Sequence, residues 1–159
     1  MVDDIRTSQN SVVLDDTAKA IIRALQHDGR TPYSTIAREV GLSEAAVRQR
    51  VQRLLDSDLL QIVAVTDPLQ LGFRRQAIVG VVTTGDSQKV AETLEDFEEV
   101  DYLVTTTGRF DLLVEIVCTD DDHLLTLLHQ RIRAIKGVTH TETFNIMKLN
   151  KQRYDWGTR

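Results

Sequence analysis

Cysteine is almost missing from this chain: Cys118 is the only one in 159 residues. Alone it closes no disulfide within the chain, and its place in an apolar run marks a buried strand residue, not a nucleophile. A reduced, cytoplasmic setting is expected. Long apolar runs are missing as well, so no stretch is expected to span a membrane. The opening residues, MVDDIRTSQNSVV, have neither a basic n-region nor an apolar h-region. A flexible polar tail over residues 1–13 is expected there in place of a signal peptide. No P-loop, dinucleotide fingerprint or nucleophile motif occurs. His27, His123, His129 and His140 lack the spacing of a zinc site, and one cysteine adds little. The DDD run at 120–122 directly precedes a helical stretch, where acids favour the positive end of the helix dipole. Neither a metal nor a cofactor is expected, and no enzyme is indicated.

What is present describes a globular protein, with 42% hydrophobic and 27% charged residues. The net charge of −5 argues at first against nucleic acid, but it is unevenly spread. Residues 15–60 carry seven Lys/Arg and seven Asp/Glu, whereas 61–159 carry eleven bases against fifteen acids. Within 43–53, Arg48, Arg50 and Arg53 face only Glu44. Screening acts over about 8 Å at physiological salt, so a remote acidic body barely cancels a local basic helix.

The run LDDTAKAIIRALQHDGR has apolar residues at 14, 18, 21, 22 and 25, the spacing of an amphipathic helix. Asp15 or Asp16 is expected to cap its start, and Gly29 to follow its end. A short helix from about Ser34 to Val40 comes next, then Gly41, then a helix capped by Ser43. Two helices joined by a tight Gly-Leu-Ser turn match the helix-turn-helix pattern. On the second, Val47, Val51, Leu54 and Leu55 share the inward face. Ala45, Gln49, Gln52 and Arg53 lie opposite, with Arg48 and Arg50 on the flanks. Arginine and glutamine are the side chains that make paired contacts to guanine and adenine edges.

QIVAVTDPLQLGF reads as a short strand and a turn at Asp67-Pro68, a hinge between two units. Beyond it the order is strand (RQAIVGVVTT), helix (SQKVAETLEDF), strand (VDYLVTTT), strand (FDLLVEIVCT), helix (DDDHLLTLLHQRIRAI), strand (VTHTETFNIMKLN). That βαββαβ order predicts a ferredoxin-like sandwich. Two helices on one face leave the other uncovered, and Ile78, Val79 or Leu113 on it would favour pairing with a second copy. Gly108, in the hairpin TGRFD, is expected at positive φ.

LDDTAKAIIRALQHDGRTPYSTIAREVGLSEAAVRQRVQRLLDSDLL resembles the leucine-responsive and asparagine-sensing (Lrp/AsnC) regulators. So do the DP…LG hinge, the TGRFDLLV hairpin and IKGVTHTETFNIMK, so the resemblance runs from about Leu14 to Gln152. It implies an α+β protein divided as a tail (1–13), a (winged) helix-turn-helix domain (14–60), a hinge strand and linker (61–73), a ferredoxin-like effector and oligomerisation domain (74–152) and a C-terminal tail (153–159). The implied partners are double-stranded DNA, a small effector, usually an amino acid, and further copies of the chain, as dimers assembling to octamers. Implied DNA-binding residues are Ser34, Ser43, Glu44, Ala45, Arg48, Gln49, Arg50 and Arg53, with Arg50 at the DNA backbone. Implied effector-binding residues are Thr107, Gly108, Arg109, Phe110 and Asp111 in the loop, and Phe144, Asn145 and Ile146 in the last strand. Loop N–H groups and Arg109 would hold a carboxylate, and Asp111 an ammonium group. Two departures stand out. Asp58 replaces the usual glycine after the recognition helix, a position asparagine and aspartate tolerate in the left-handed region. Arg109 replaces an acidic or small residue.

Two other functions share this layout. One is an effector-independent architectural protein that wraps DNA. The other is a tetrapyrrole decarboxylase, which the basic helix 43–53 and the few histidines outside loops or helix ends argue against.

Overall fold

The computed structural model describes residues 14–159, so the tail expected over 1–13 lies outside the described residues. Contact clustering divides the chain into two compact units, one running to Ala64 and including Lys151–Arg159, the other Val65–Asn150.

The first unit holds α1 (Asp16–His27), α2 (Tyr33–Val40) and α3 (Glu44–Asp56). Each boundary has a local cause. Asp15 caps α1 by accepting the Ala18 N–H, and Ser43 caps α3 by accepting the Ala46 N–H. Helix α2 ends at Gly41, whose φ of 69° lies in the left-handed region. Asp58 follows α3 at φ 56°, as its position after the helix predicts. At the end of α1 it is Asp28, in extended geometry, that closes the last turn, and Gly29 needs no left-handed backbone. Ile21, Leu25, Ile36, Ala37, Val47 and Val51 form the core, with Leu55 packed at its edge. In the tail segment, Thr158 Oγ1 accepts from the Arg23 guanidinium at 2.8 Å.

The strand expected over the hinge does not form. Residues 61–67 have no ladder partner within the chain, and a strand needs a neighbour for its N–H and C=O groups. The wing, which also needs a strand pair after α3, is likewise absent among the described residues. A single 3₁₀ turn, Pro68–Leu71, follows the Asp67 cap.

The second unit is β1 (Arg75–Thr83), α4 (Ser87–Glu95), β2 (Val100–Thr105), β3 (Leu112–Cys118), α5 (Asp121–Thr126) and β4 (Val138–Asn145). Its antiparallel sheet has the order β2-β3-β1-β4, the ferredoxin-like arrangement expected. Strand alternation buries Ala77, Val79, Val81, Leu112, Val114 and Ile116 under α4 and α5. Val79 therefore belongs to the helix-covered face, not the open one. Ile78 and Leu113 do face the uncovered side, because each is one residue out of phase with that set. The helix expected over 120–135 is α-helical only to Thr126. Leu127–Ile132 continues as a wider π turn, and the Arg133 N–H donates to Leu128 O, five residues back. The widened turn keeps Leu127, Leu128 and Ile132 buried while Arg131 lies over the Phe97 ring and reaches Glu99.

Candidate functional site

In the first unit, burial of Val47, Val51 and Leu54 leaves Glu44, Ala45, Arg48, Gln49, Gln52 and Arg53 exposed along α3. This is the outward face that the periodicity predicts. Its charges are not equally free. Arg48 bonds Glu44 at 3.0 Å and lies over the Tyr33 ring at 5.2 Å, so α2 and α3 hold it together. Arg50 donates to Asp15 Oδ2 at 2.8 Å, across 35 residues, while the other Asp15 oxygen caps α1. Asp15 is held below the usual carboxylate range first by the Ala18 N–H and then by Arg50. The geometry thus ties Arg50 to the start of α1. Ser43 uses its hydroxyl as the helix cap, and Ser34 is exposed in the first turn of α2. Asp15 and Tyr33 are the partners that sequence reasoning missed here. Asp15 was legible as a cap, but its reach to Arg50 leaves no local signal.

In the second unit, the loop between β2 and β3 folds onto the open face of the sheet. Thr106 accepts nothing from β1; its N–H donates to Asp111 O and its hydroxyl to Phe110 O, at 2.9 and 2.6 Å. Asp111 in turn receives the Thr83 N–H at 2.6 Å and the Thr83 hydroxyl at 3.0 Å on the same oxygen, Oδ2. Its own N–H donates to Val81 O. Asp111 is therefore a loop-to-strand clamp. Gly108 is exposed and is not among the positive-φ glycines, and a Cβ there would meet nothing within 4 Å. The backbone reason expected for this glycine does not hold, because the Thr106 and Asp111 hydrogen bonds close the hairpin without a left-handed residue at 108.

The loop's other side chains converge. The Phe110 ring lies on Gly80, where a Cβ would come within 2.7 Å of three ring atoms. Phe110 meets Phe144 edge to face, with centroids 6.1 Å apart. The Arg109 guanidinium covers the Phe110 ring at 4.7 Å and donates to Glu142 Oε2 at 2.7 Å. Glu142 pairs in register with Gly80, and Phe144 with Ile78. Thus Arg109, Phe110 and Phe144 come together, whereas Asn145 alternates to the other face. Ile146 is half-buried and donates its N–H to Gln76 O. Thr107 is exposed beside this group. Gly80 and Glu142 were missed. A lone glycine inside a strand signals close approach of another group, so Gly80 was findable.

Elsewhere Glu99 is mostly buried and accepts from His123 Nε2 at 3.0 Å and Arg131 at 2.5 Å. Burial by itself would raise its carboxyl, but bonds from His123, the backbone and Arg131 hold it below the usual range. Burial pushes the Cys118 thiol up to about 11. Asp120 caps α5, and Asp121 pairs with Arg75, as a helix-start role for the acidic run requires. Among the described residues no cluster of His, Cys, Asp or Glu could hold a metal ion, and no helix is long and apolar enough to cross a membrane.

Comparison with known proteins gives two domain matches. Residues 14–55 match the AsnC-type helix-turn-helix domain, and 76–156 the Lrp/AsnC ligand binding domain. The HTH-type transcriptional regulator FL11 of Pyrococcus furiosus is 32% identical over 142 residues, 88% of this chain and 93% of that protein. The solved leucine response regulatory protein LrpA of Mycobacterium tuberculosis is 30% identical, covers 87% of this chain and 96% of its own, and has a TM-score of 0.79. A transcriptional regulator of Neisseria meningitidis solved in complex with L-Met shares the fold, with 23% identity, 89% and 95% coverage and a TM-score of 0.78.

Proposed function

Because the chain belongs to the Lrp/AsnC family of DNA-binding transcription regulators, we propose that it binds specific operators and releases or rearranges on them in response to an amino acid. The observation that supports the DNA contact best is the outward face of α3. It is fixed from below by Val47, Val51 and Leu54 and presents Ala45, Arg48, Gln49 and Arg53 to solvent. Small Ala45 lets the start of α3 approach the groove, Gln49 reads base edges, and Arg48 and Arg53 meet phosphates. Ser34, Ser43 and Glu44 line the same approach. A dimer would offer two such helices to successive major grooves, about 34 Å apart.

The effector reading is supported by the loop Thr107–Asp111 lying on an uncovered sheet face beside Phe144, and by a fold neighbour solved with L-Met. Self-association is supported by the hinge, whose Ile62, Val63 and Val65 are exposed and unpaired within the chain. An effector that shifts the oligomer or the operator complex must bind its two states with different affinity.

The test is a fluorescence-anisotropy titration of the full chain on its own upstream duplex against random duplex of equal length, with each amino acid in turn. Preference for the upstream duplex, altered by at least one amino acid, is expected. Equal affinity for both duplexes would replace the specific-regulator reading with the architectural one. Unchanged binding with all twenty would overturn the amino-acid response.

A further inference from the structure

The Arg109–Glu142 pair is the one element of the loop cluster that no packing or backbone requirement explains. Phe110 fills the space over Gly80, and Asp111 clamps the loop to Thr83. The pair, by contrast, lies at the surface, with the two side chains 67% and 41% exposed. Glu142 has no other hydrogen bond among the described residues, and Arg109 is held in place by the Phe110 ring beneath it. The cluster therefore presents one oriented guanidinium and one carboxylate in direct contact, on an aromatic floor.

We propose that the effector is an α-amino acid with an apolar side chain, and that it binds by splitting this pair. Its carboxylate takes the Arg109 guanidinium, its ammonium group takes Glu142, and its side chain lies along Phe144. The inference rests on the reading that this loop is the effector site. It also transfers the ammonium contact from Asp111, whose carboxylate is occupied by Thr83, to Glu142. The chemistry selects the ligand class. A bare carboxylate would leave Glu142 unpaired, and a bare amine would leave Arg109 unpaired. Only a zwitterion satisfies both, and in an α-amino acid the two charged groups sit on one carbon, matching partners that start within hydrogen-bond distance. Planar guanidinium and carboxylate favour a two-pronged contact, which a lysine at 109 would not make. The surroundings set the side-chain preference: Phe144 is exposed, and its register partner Ile78 continues the apolar surface on the same face.

The experiment is calorimetric titration of the full chain with L-leucine, L-methionine and L-phenylalanine, with L-asparagine as the polar control. The amide and the N-acetyl derivative of the tightest ligand follow. Apolar amino acids are expected to bind, L-asparagine at least tenfold more weakly, and both blocked derivatives at least tenfold more weakly than the parent. Arg109→Gln and Glu142→Gln should each weaken the parent ligand at least tenfold with the unliganded melting curve preserved. Glu142→Gln should also bind the N-acetyl derivative more tightly than wild type does, since Arg109 no longer has a competing anion. A merely structural pair would not produce that reversal. Wild-type binding that Glu142→Gln leaves unchanged would overturn the pair-splitting proposal and leave the effector site standing. Absence of binding by any of the twenty amino acids would overturn both.

Discussion

Gly80→Ala offers the sharpest test of how the loop is seated. The added Cβ would lie 2.7 Å from three atoms of the Phe110 ring. Ordinary carbon–carbon contact is about 3.5–4.0 Å, so the ring must lift by roughly 1 Å. Overpacking of this kind costs about 1–3 kcal/mol. Opposing it, alanine in a strand interior is favoured over glycine by about 0.5–1 kcal/mol. The clash wins, with a net loss of about 1–2 kcal/mol. In a unit of this size, each kcal/mol lowers the melting temperature by about 4–8 °C. The decisive assay is a double-mutant cycle, with calorimetric melting of wild type, Gly80→Ala, Phe110→Ala and the double variant. Once Phe110 is truncated, Gly80→Ala should be neutral or stabilising by up to about 1 kcal/mol, giving a coupling energy within the 0.5–3 kcal/mol typical of touching residues. An equal penalty in both backgrounds would refute the claim that this glycine exists to seat the ring.

Asp15→Asn keeps a helix-capping acceptor while removing the anion that holds Arg50, so DNA affinity should rise and the salt dependence steepen by about one phosphate contact. A slope identical to wild type would show that Arg50 stays out of reach of DNA. Glu99 has a depressed folded-state pKa, so its stabilisation is complete above the unfolded carboxyl value near 4.3 and is lost as pH falls through the lower folded value. Glu99→Gln should flatten that acid limb in melting curves taken from pH 6 to 3, and an unaltered limb would assign it to other groups. Asp111→Ala should cost about 1–3 kcal/mol by stripping the Thr83 N–H of its acceptor, read as faster hydrogen exchange at that amide. Loss of effector binding with exchange unchanged would instead make Asp111 a ligand contact.

The helices were legible in the sequence because each carries its own boundary chemistry. Asp15, Ser43 and Asp120 are caps, and the burial of Ile21, Leu25, Val47 and Val51 follows their spacing. Strand order followed from the alternation of short apolar runs with helical ones. The hinge strand failed for a physical reason: 61–67 has the composition of a strand but no partner in the same chain, and pairing is not a local property. The π turn after Thr126 is equally nonlocal, since it accompanies Arg131 reaching Glu99, 32 residues away. The glycines show the same division. Turn logic pointed to Gly108, which takes no left-handed conformation, while the glycine that matters for packing is Gly80, made necessary by a ring thirty positions further along the chain.

Charge pairing separates the two units by purpose. Arg50 and Arg109 each bond an acid more than thirty residues away, and neither partner can be read from local spacing. Their partners differ in what else they hold. Asp15 also caps α1, so the Arg50 contact belongs to a doubly used carboxylate whose geometry the helix start already dictates. Glu142 holds only Arg109 among the described residues, and both side chains are open to solvent. Exposed pairs contribute about 0–1 kcal/mol, so exchanging this one for the two ends of a zwitterion costs the fold little. The DNA-binding unit therefore carries a fixed ionic strut, and the ligand-binding unit carries an exchangeable one placed where an effector can compete for both of its ends.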